Sequence, residues 1–446
     1  MRIVYAMGPH RRLRGPALRR TSKKVIGDMK ISIASLPLMA IVALHAGMAG
    51  AQPTAGTAPA PIGASATASG ERSTITFSVV GRYDSNVARV DDPALAAARG
   101  LEQEDFRISP NVQLDVARML GRHQIGLRSY LGYDFYTRNS RLDRERIVVE
   151  PFAQLDLPVC DLGLSATASR RQSEIGDIIL LTPDPSLTID NTETTRRAAA
   201  RVTCGDTYGL RPSLEVELAS GQNSNPLSRR ANYEVTRIQP GVGYASPTLG
   251  EISLYAVKQD TDLPNQLTLD GREAGFTLRG AGVGYARNIG TRLKFNGAVS
   301  YVEVTPYDGT LGTRSGVNGN IALTLLASER LQFTAFANRV FTSTLTSNAT
   351  YELQQGYGLS ASYAANDRLR LRVGGQYAPR RLFYSLPPTG AFIERQTQTD
   401  IFGGATYQLN RRLGLTFDAG YQRRDADLNL FDFDGYYAAV GVTFTL

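Results

Sequence analysis

The chain ends Gly435-Tyr436-Tyr437-Ala438-Ala439-Val440-Gly441-Val442-Thr443-Phe444-Thr445-Leu446. From Tyr436 onward one set of alternate positions carries Tyr436, Ala438, Val440, Val442, Phe444 and Leu446. The other set carries Tyr437, Ala439, Gly441, Thr443 and Thr445. Side chains alternate across a strand, so this stretch is a ribbon with one apolar face and one small or polar face. A strand of this kind left bare at a sheet edge is adhesive, and soluble proteins avoid it. A closed barrel uses it, because the last strand zips to the first and no edge remains.

The same two-residue period recurs upstream. Over 125–135, Ile125, Leu127, Leu131, Tyr133 and Phe135 oppose Arg128, Tyr130, Gly132 and Asp134. Over 369–377, Leu369, Leu371, Val373 and Tyr377 oppose Arg370, Arg372 and Gln376. Segments 210–218 and 413–421 behave alike. A soluble sandwich shares the alternation but turns its charged face outward. Turn spacing separates the two readings. Tight polar or Gly-containing turns fall near Gly121, Cys160, Gly205, Thr248, Asn288, Ser328, Asn366 and Asn410, about 41 residues apart. Longer loops lie halfway between, at 176–191, 223–232, 263–272, 306–314 and 425–435. Short turns on one side and longer loops on the other predict an all-β, transmembrane, antiparallel up-and-down barrel of about eighteen strands, with sixteen the alternative. The segment 274–285 slips phase at Gly280 to Gly282, which reads as a bulge. The first long loop holds Asp92-Pro93 and ends at Gly100, a short helix by its cap residues. It either enters the pore or sits on the rim, and the rim is favoured.

The formal net charge of +8 comes from one end. Residues 1–51 hold nine Lys/Arg and one acid, Asp28, and the remaining 40 basic and 40 acidic residues cancel. A nucleic-acid partner is therefore not expected. The apolar run 31–50 after Lys30, followed by Ala49-Gly50-Ala51, reads as a cleavable signal peptide spanning 1–51, with Met29 as its true start. Residues 52–73, rich in Ala, Pro, Gly, Ser and Thr, read as a flexible periplasmic lead-in, and 74–446 as the barrel. The expected location is the bacterial outer membrane, with outer-membrane lipid and the barrel assembly machinery as partners.

Catalysis finds little support. The three histidines are His10, His45 and His123; the first two leave with the leader, and His123 sits at a periplasmic turn. No catalytic, cofactor or metal site is expected. Instead, the assigned phase turns Arg128, Asp134, Glu150, Arg171, Arg197, Arg201, Arg211, Glu215, Glu217, Arg370, Arg372 and Asp418 into the lumen. Tyr130, Phe152 and Phe402 join them as stacking faces. Charge of both signs reads first as a salt-bridged wall and second as a track for polar solutes. Cys160 and Cys204 fall at turns on the same end, and the oxidising periplasm makes an even pair a disulfide expectation. The strand count puts Cys160 at the end of the fourth strand and Cys204 at the end of the sixth, roughly 10 Å apart.

The spacing Gly441-x-x-Phe444-x-Leu446 resembles the terminal assembly signal of bacterial outer-membrane barrels. The run Tyr83-Asp84-Ser85-Asn86-Val87 resembles the first strand of the "putative beta-barrel porin 2" family, whose members often accompany exopolysaccharide or capsule export. The resemblance implies an outer-membrane barrel and carries no functional residue over. Two functions follow as expectations. One is a water-filled pore for a small polar solute or a polysaccharide; the other is a non-conducting accessory barrel of a secretion system.

Overall fold

Alternation of apolar and polar residues becomes one continuous antiparallel sheet in the computed structural model. The structure describes residues 70–173, 190–226, 228–268, 270–344, 349–384 and 393–446. The leader, most of the lead-in and most of the loop 176–191 lie outside them. The first nine strands are β1 (Arg72–Asp84), β2 (Asp105–Leu120), β3 (His123–Tyr136), β4 (Arg144–Asp156), β5 (Cys160–Gln172), β6 (Thr192–Cys204), β7 (Gly209–Asn223), β8 (Tyr233–Ser246) and β9 (Gly250–Leu267). The second nine are β10 (Glu273–Ile289), β11 (Leu293–Pro306), β12 (Arg314–Leu326), β13 (Leu331–Thr342), β14 (Tyr351–Ala364), β15 (Leu369–Phe383), β16 (Arg395–Gln408), β17 (Leu413–Ala426) and β18 (Phe433–Thr445). Each pairs with its sequence neighbours. The terminal strand closes the ring: β18 runs antiparallel to β1 from Thr76↔Thr445 to Asp84↔Tyr437.

Outward positions are apolar and exposed. Along β18 they are Tyr436, Val440, Val442 and Phe444, with Val79 and Phe77 beside them on β1. Aromatic side chains gather in two outward bands, Tyr133, Tyr301, Tyr377 and Tyr436 toward the loops, and Tyr244, Tyr363, Tyr407 and Phe444 toward the turns. Such girdles mark the two edges of a membrane-spanning band. Eight turns of two to four residues, such as 121–122 and 157–159, occupy the end that holds both barrel termini. Connections of five to twenty residues occupy the other end. Short turns are periplasmic in such barrels, so the long loops are extracellular. Pro110, Pro151, Pro240 and Pro379, which lack an N–H, each coincide with missing rungs toward one neighbouring strand only.

Two expectations need correction and one needs refining. The register of β10 against β11 runs unbroken through Gly280 and Gly282, so no bulge sits there. The irregularity lies at Glu273/Ala274 against β9. The apparent phase slip has another cause: Phe276 and Leu278 face inward, and Val283 and Tyr285 face outward as the pleat requires. Second, the helix α1 (Pro93–Ala98) forms, with Asp92 accepting from the Ala94 amide at 2.8 Å, and it lies at the rim as favoured, but on its inner edge. Its Leu95 and Ala96 belong to an apolar cluster that includes inward-facing Tyr136, and Arg89 of the same loop stacks over inward-facing Phe433. Burial, and then the nearby charge of Arg424 on the inner wall, lowers the Arg99 guanidinium at the helix end to about 10.

Third, Cys160 begins β5 instead of ending β4. No strand intervenes between it and Cys204: the two are direct cross-strand partners, with Cα atoms 3.9 Å apart and the side chains joined. The separation of roughly 10 Å expected from the strand count came from assigning Cys160 to the wrong side of its turn. Alkylating the native barrel without reductant is expected to leave both thiols unmodified, and reductant should expose both. Two alkylated cysteines in unreduced protein would refute the bridge.

The lumen wall as candidate functional site

Because paired residues share a face, the register fixes what lines the lumen. Arg128 stands opposite Glu150, Arg201 opposite Glu215, Glu217 opposite Arg237, and Asp418 opposite Gly404, which is itself opposite Arg372. All twelve lumen residues named from the sequence occupy inward positions, with Asp134 on β3, Arg171 on β5, Arg197 on β6, Arg211 on β7 and Arg370 on β15 completing the set. Most are brought together as ion pairs. Arg128 binds Glu150 at 3.0 Å, Arg197 binds Glu217 at 2.6 Å and Arg171 reaches Glu193 at 3.5 Å. Arg201 pairs with Glu215 and Arg372 with Asp418. Arg211 sits between Asp161 and Glu251, and Asp134 between Arg107 and Arg146. Glu217, 3% exposed, is also 3.9 Å from Arg237. Glu217 is thus shared by two arginines, and removing either leaves it a partner.

The charges are not spread evenly. Strands β1–β8 and β15–β18 carry them in quantity, in adjacent pairs of opposite sign. Over β9–β14 the inward positions are mostly Ser, Asn, Gln, Gly, Ala and apolar residues, with charge only near strand ends at Glu251, Lys294, Arg314 and Glu352. A mixed-charge arc thus faces a nearly neutral one.

Two of the three expected stacking faces are already occupied. The Arg146 guanidinium lies 5.4 Å from the Tyr130 ring, and Arg72 and Arg128 lie 5.7 and 4.8 Å from the Phe152 ring. Phe402 lies across Gly374. An aromatic that sequence reading missed, Phe336, faces inward on β13 and is 39% exposed. The signal was present: Phe333 and Phe336 are three apart, so on a strand they cannot both face lipid.

The wall also departs from a cylinder. The Tyr351 ring of β14 lies 5.5 Å from the Phe276 ring of β10. These strands are four apart, roughly 20 Å around the wall at the usual strand spacing, and Tyr351 has outward parity whereas Phe276 points inward. Both facts require the extracellular ends of β13, β14 and β15 to fold into the lumen as a flap. Its outer face (Phe341, Tyr351, Leu353 and Phe383) packs on Phe276, Leu278, Val302 and Val304 of the inner wall. Tyr351 stacks on Phe383 at 4.7 Å, and Gln266 of β9 donates to the Ala349 carbonyl at 3.2 Å. A second apolar cluster joins Ala349, Leu382, Ile393 and Phe431 from three extracellular hairpins. The flap and these loops therefore narrow the extracellular mouth.

The Tyr83–Val87 run lies on the closure. The Ser85 amide donates to the Tyr436 carbonyl at 3.0 Å, and Ser85 Oγ accepts from the Tyr436 amide at 2.9 Å. Asn86 Nδ2 donates to the Asp434 carbonyl at 2.8 Å. Asp84, 8% exposed, takes Arg89 at 3.1 Å and Arg82 at 3.4 Å. These residues stitch the first strand to the last and offer nothing to a solute. Residues 271–446 match the family "Putative beta-barrel porin 2". That span takes in β18 and its terminal Gly441, Phe444 and Leu446, but not the Tyr83–Val87 run. Over those residues the chain is similar to that family, and from β1 to β18 it closes as one antiparallel barrel.

Among solved structures, the chain is similar to Pseudomonas aeruginosa OccK2 (OpdF), at 10% identity and a TM-score of 0.44, covering 84% of this chain and 97% of that one. It is also similar to the P. aeruginosa outer membrane protein opdK, at 13% identity and 0.42, covering 84% and 99%. Acinetobacter baumannii OccAB3 gives 11% and 0.41, covering 84% and 98%. No curated protein sequence matches the chain. Among the described residues, no group of three or more His, Cys, Asp or Glu side chains is placed to hold a metal ion.

Asn86→Ala is expected to loosen the closure. It removes the tie to Asp434 and the bond that Asn86 Oδ1 accepts from the Val90 amide at 3.2 Å, a loss of about 1–3 kcal/mol for a site 4% exposed. The folded band of the refolded barrel should convert to the unfolded one at a lower temperature on a heat-modifiability gel. An unchanged temperature would show that the run does not hold the seam.

Proposed function

We propose that this barrel is a diffusion pore for polar solutes with little preference for cations over anions. The observation that carries this reading is the pairing of charges on one arc. Most inward acids of that arc have an arginine beside them, as in Arg128–Glu150 and Arg197–Glu217, so opposing charges largely cancel along it. Eighteen strands enclose a space wide enough for water, and the flap reduces it from one side. In planar bilayers the refolded protein is expected to give discrete conductance steps with a reversal potential near zero across a KCl gradient. A strong selectivity for either ion would overturn the pairing argument.

For the solute, a saccharide chain is a second reading, favoured by the exposed Phe336 ring among Asn and Gly positions. Sugar rings stack on such faces while hydroxyls bond to neighbouring amides. The link to exopolysaccharide export rests on the family resemblance. An accessory, non-conducting barrel is favoured by the loops packed across the mouth, and folded protein that never conducts would select it.

A further inference from the structure

The flap leaves a seam in the wall. On one side β12 pairs with β11 as far as Arg314. On the other its ladder with β13 stops at Gly319↔Arg339. Residues 314–318 of β12 therefore have a strand neighbour on one edge only. Side chains span the gap: the Phe341 amide donates to Asn318 Oδ1 at 3.2 Å, and the Arg339 guanidinium donates to the Val317 carbonyl. A Cβ added at Gly316 would sit 3.4 Å from both the Arg339 guanidinium and the Phe341 ring, so β13 slides past the inner face of β12 here. These two bonds stand in for the several rungs that a continuous ladder over 314–318 would have.

Three observations give this seam a direction. First, it lies at the membrane surface, because Val317 pairs with Tyr301, and both are outward and exposed at 47% and 63%. Second, the space behind it is apolar. Val302, Val304, Phe341, Leu353 and Phe383 cluster there, in a lumen otherwise lined largely by polar and charged groups. Third, the axial route above is narrowed by loops held together through their own apolar contacts.

We propose that the β12–β13 seam is a lateral opening that admits the acyl chain of a membrane-dissolved amphiphile to the apolar cluster behind the flap. The amphiphile's polar head then stays at the girdle, beside Arg339, and its chain replaces flap-to-wall contacts with contacts of the same kind. This route is independent of axial conductance.

The chain contains no tryptophan, so single Trp substitutions report without background. Phe341→Trp and Leu353→Trp place the probe behind the seam. Val317→Trp faces lipid, and Phe402→Trp faces the lumen from a part of the wall where the ladder is continuous. Each full-length variant, shown to be folded by its heat-modifiable band, is placed in vesicles of phosphatidylcholine brominated near the head-group end of the chains. Quenching at Phe341→Trp or Leu353→Trp is expected to reach at least half of that at Val317→Trp, with Phe402→Trp unquenched. Probes behind the seam that stay as bright as Phe402→Trp overturn the proposal and leave the seam as a joint that only lets the flap fold.

Discussion

Tyr351→Ala should raise the single-channel conductance several-fold while leaving the barrel folded. The Tyr351 ring is fully buried and joins the other large side chains of the flap: Phe276 at 5.5 Å, Phe383 at 4.7 Å and Phe341 at 6.2 Å. Truncating a buried aromatic of this size costs about 3–5 kcal/mol. Little of that cost falls on the closed ring of strands, whose ladders lie elsewhere. It falls on the contact between flap and inner wall. The remaining ties across it are few, chiefly Gln266 to Ala349 and Phe341 to Asn318. Once the seal is lost, the ends of β13–β15 swing toward the positions a cylinder would give them, and the lumen widens. Paired single-channel recordings of Tyr351→Ala and Tyr351→Phe decide it. The Phe variant keeps the ring and should conduct like the parent. Equal conductance of Ala variant and parent would mean that the flap does not set the narrowest point.

Phe444→Asp is expected to cut the folded barrel recovered from outer membranes by an order of magnitude or more. Phe444 faces lipid at the periplasmic girdle, 39% exposed, between Phe77 of β1 and Leu413 of β17. A carboxylate at that interfacial depth costs about 1 kcal/mol or less in the membrane, too little alone to unfold so large a ladder. The larger loss is in assembly, for which Gly441, Phe444 and Leu446 are the proposed signal. The two contributions separate cleanly: the variant should still refold in detergent micelles while failing to accumulate in cells. Normal cellular levels would remove the signal assignment.

How much of this was legible depends on which forces act between neighbours in sequence. Alternation, turn spacing and the inward positions of residues such as Arg197 and Glu217 follow from a period of two, so they could be read directly. The disulfide partners were readable as a pair, yet the strand bearing Cys160 was not, because Leu157, Pro158 and Val159 look as much like strand as turn. The flap was invisible for a sharper reason. Phe341, Tyr351, Leu353 and Phe383 alternate as lipid-facing residues do, and they keep that parity. Only a contact across four strands shows that the surface they cover is the inner wall and not lipid. The same contact explains why Phe276 and Leu278 seemed out of phase.

The closure of β18 on β1 has a consequence in time as well as in space. Every other strand pairing joins neighbours in the chain, at a loop-closure cost that one hairpin meets. The last pairing joins Thr76 to Thr445 across 369 residues. Non-local contacts of this span form slowly, because their entropy must be surrendered before any rung returns it. A barrel built hairpin by hairpin would therefore accumulate as an open, curled sheet with two adhesive margins, and its lifetime in that state would set how long it depends on a helper. Ser85 and Asn86, which grip Tyr436 and Asp434, would then act as the latch that ends the wait.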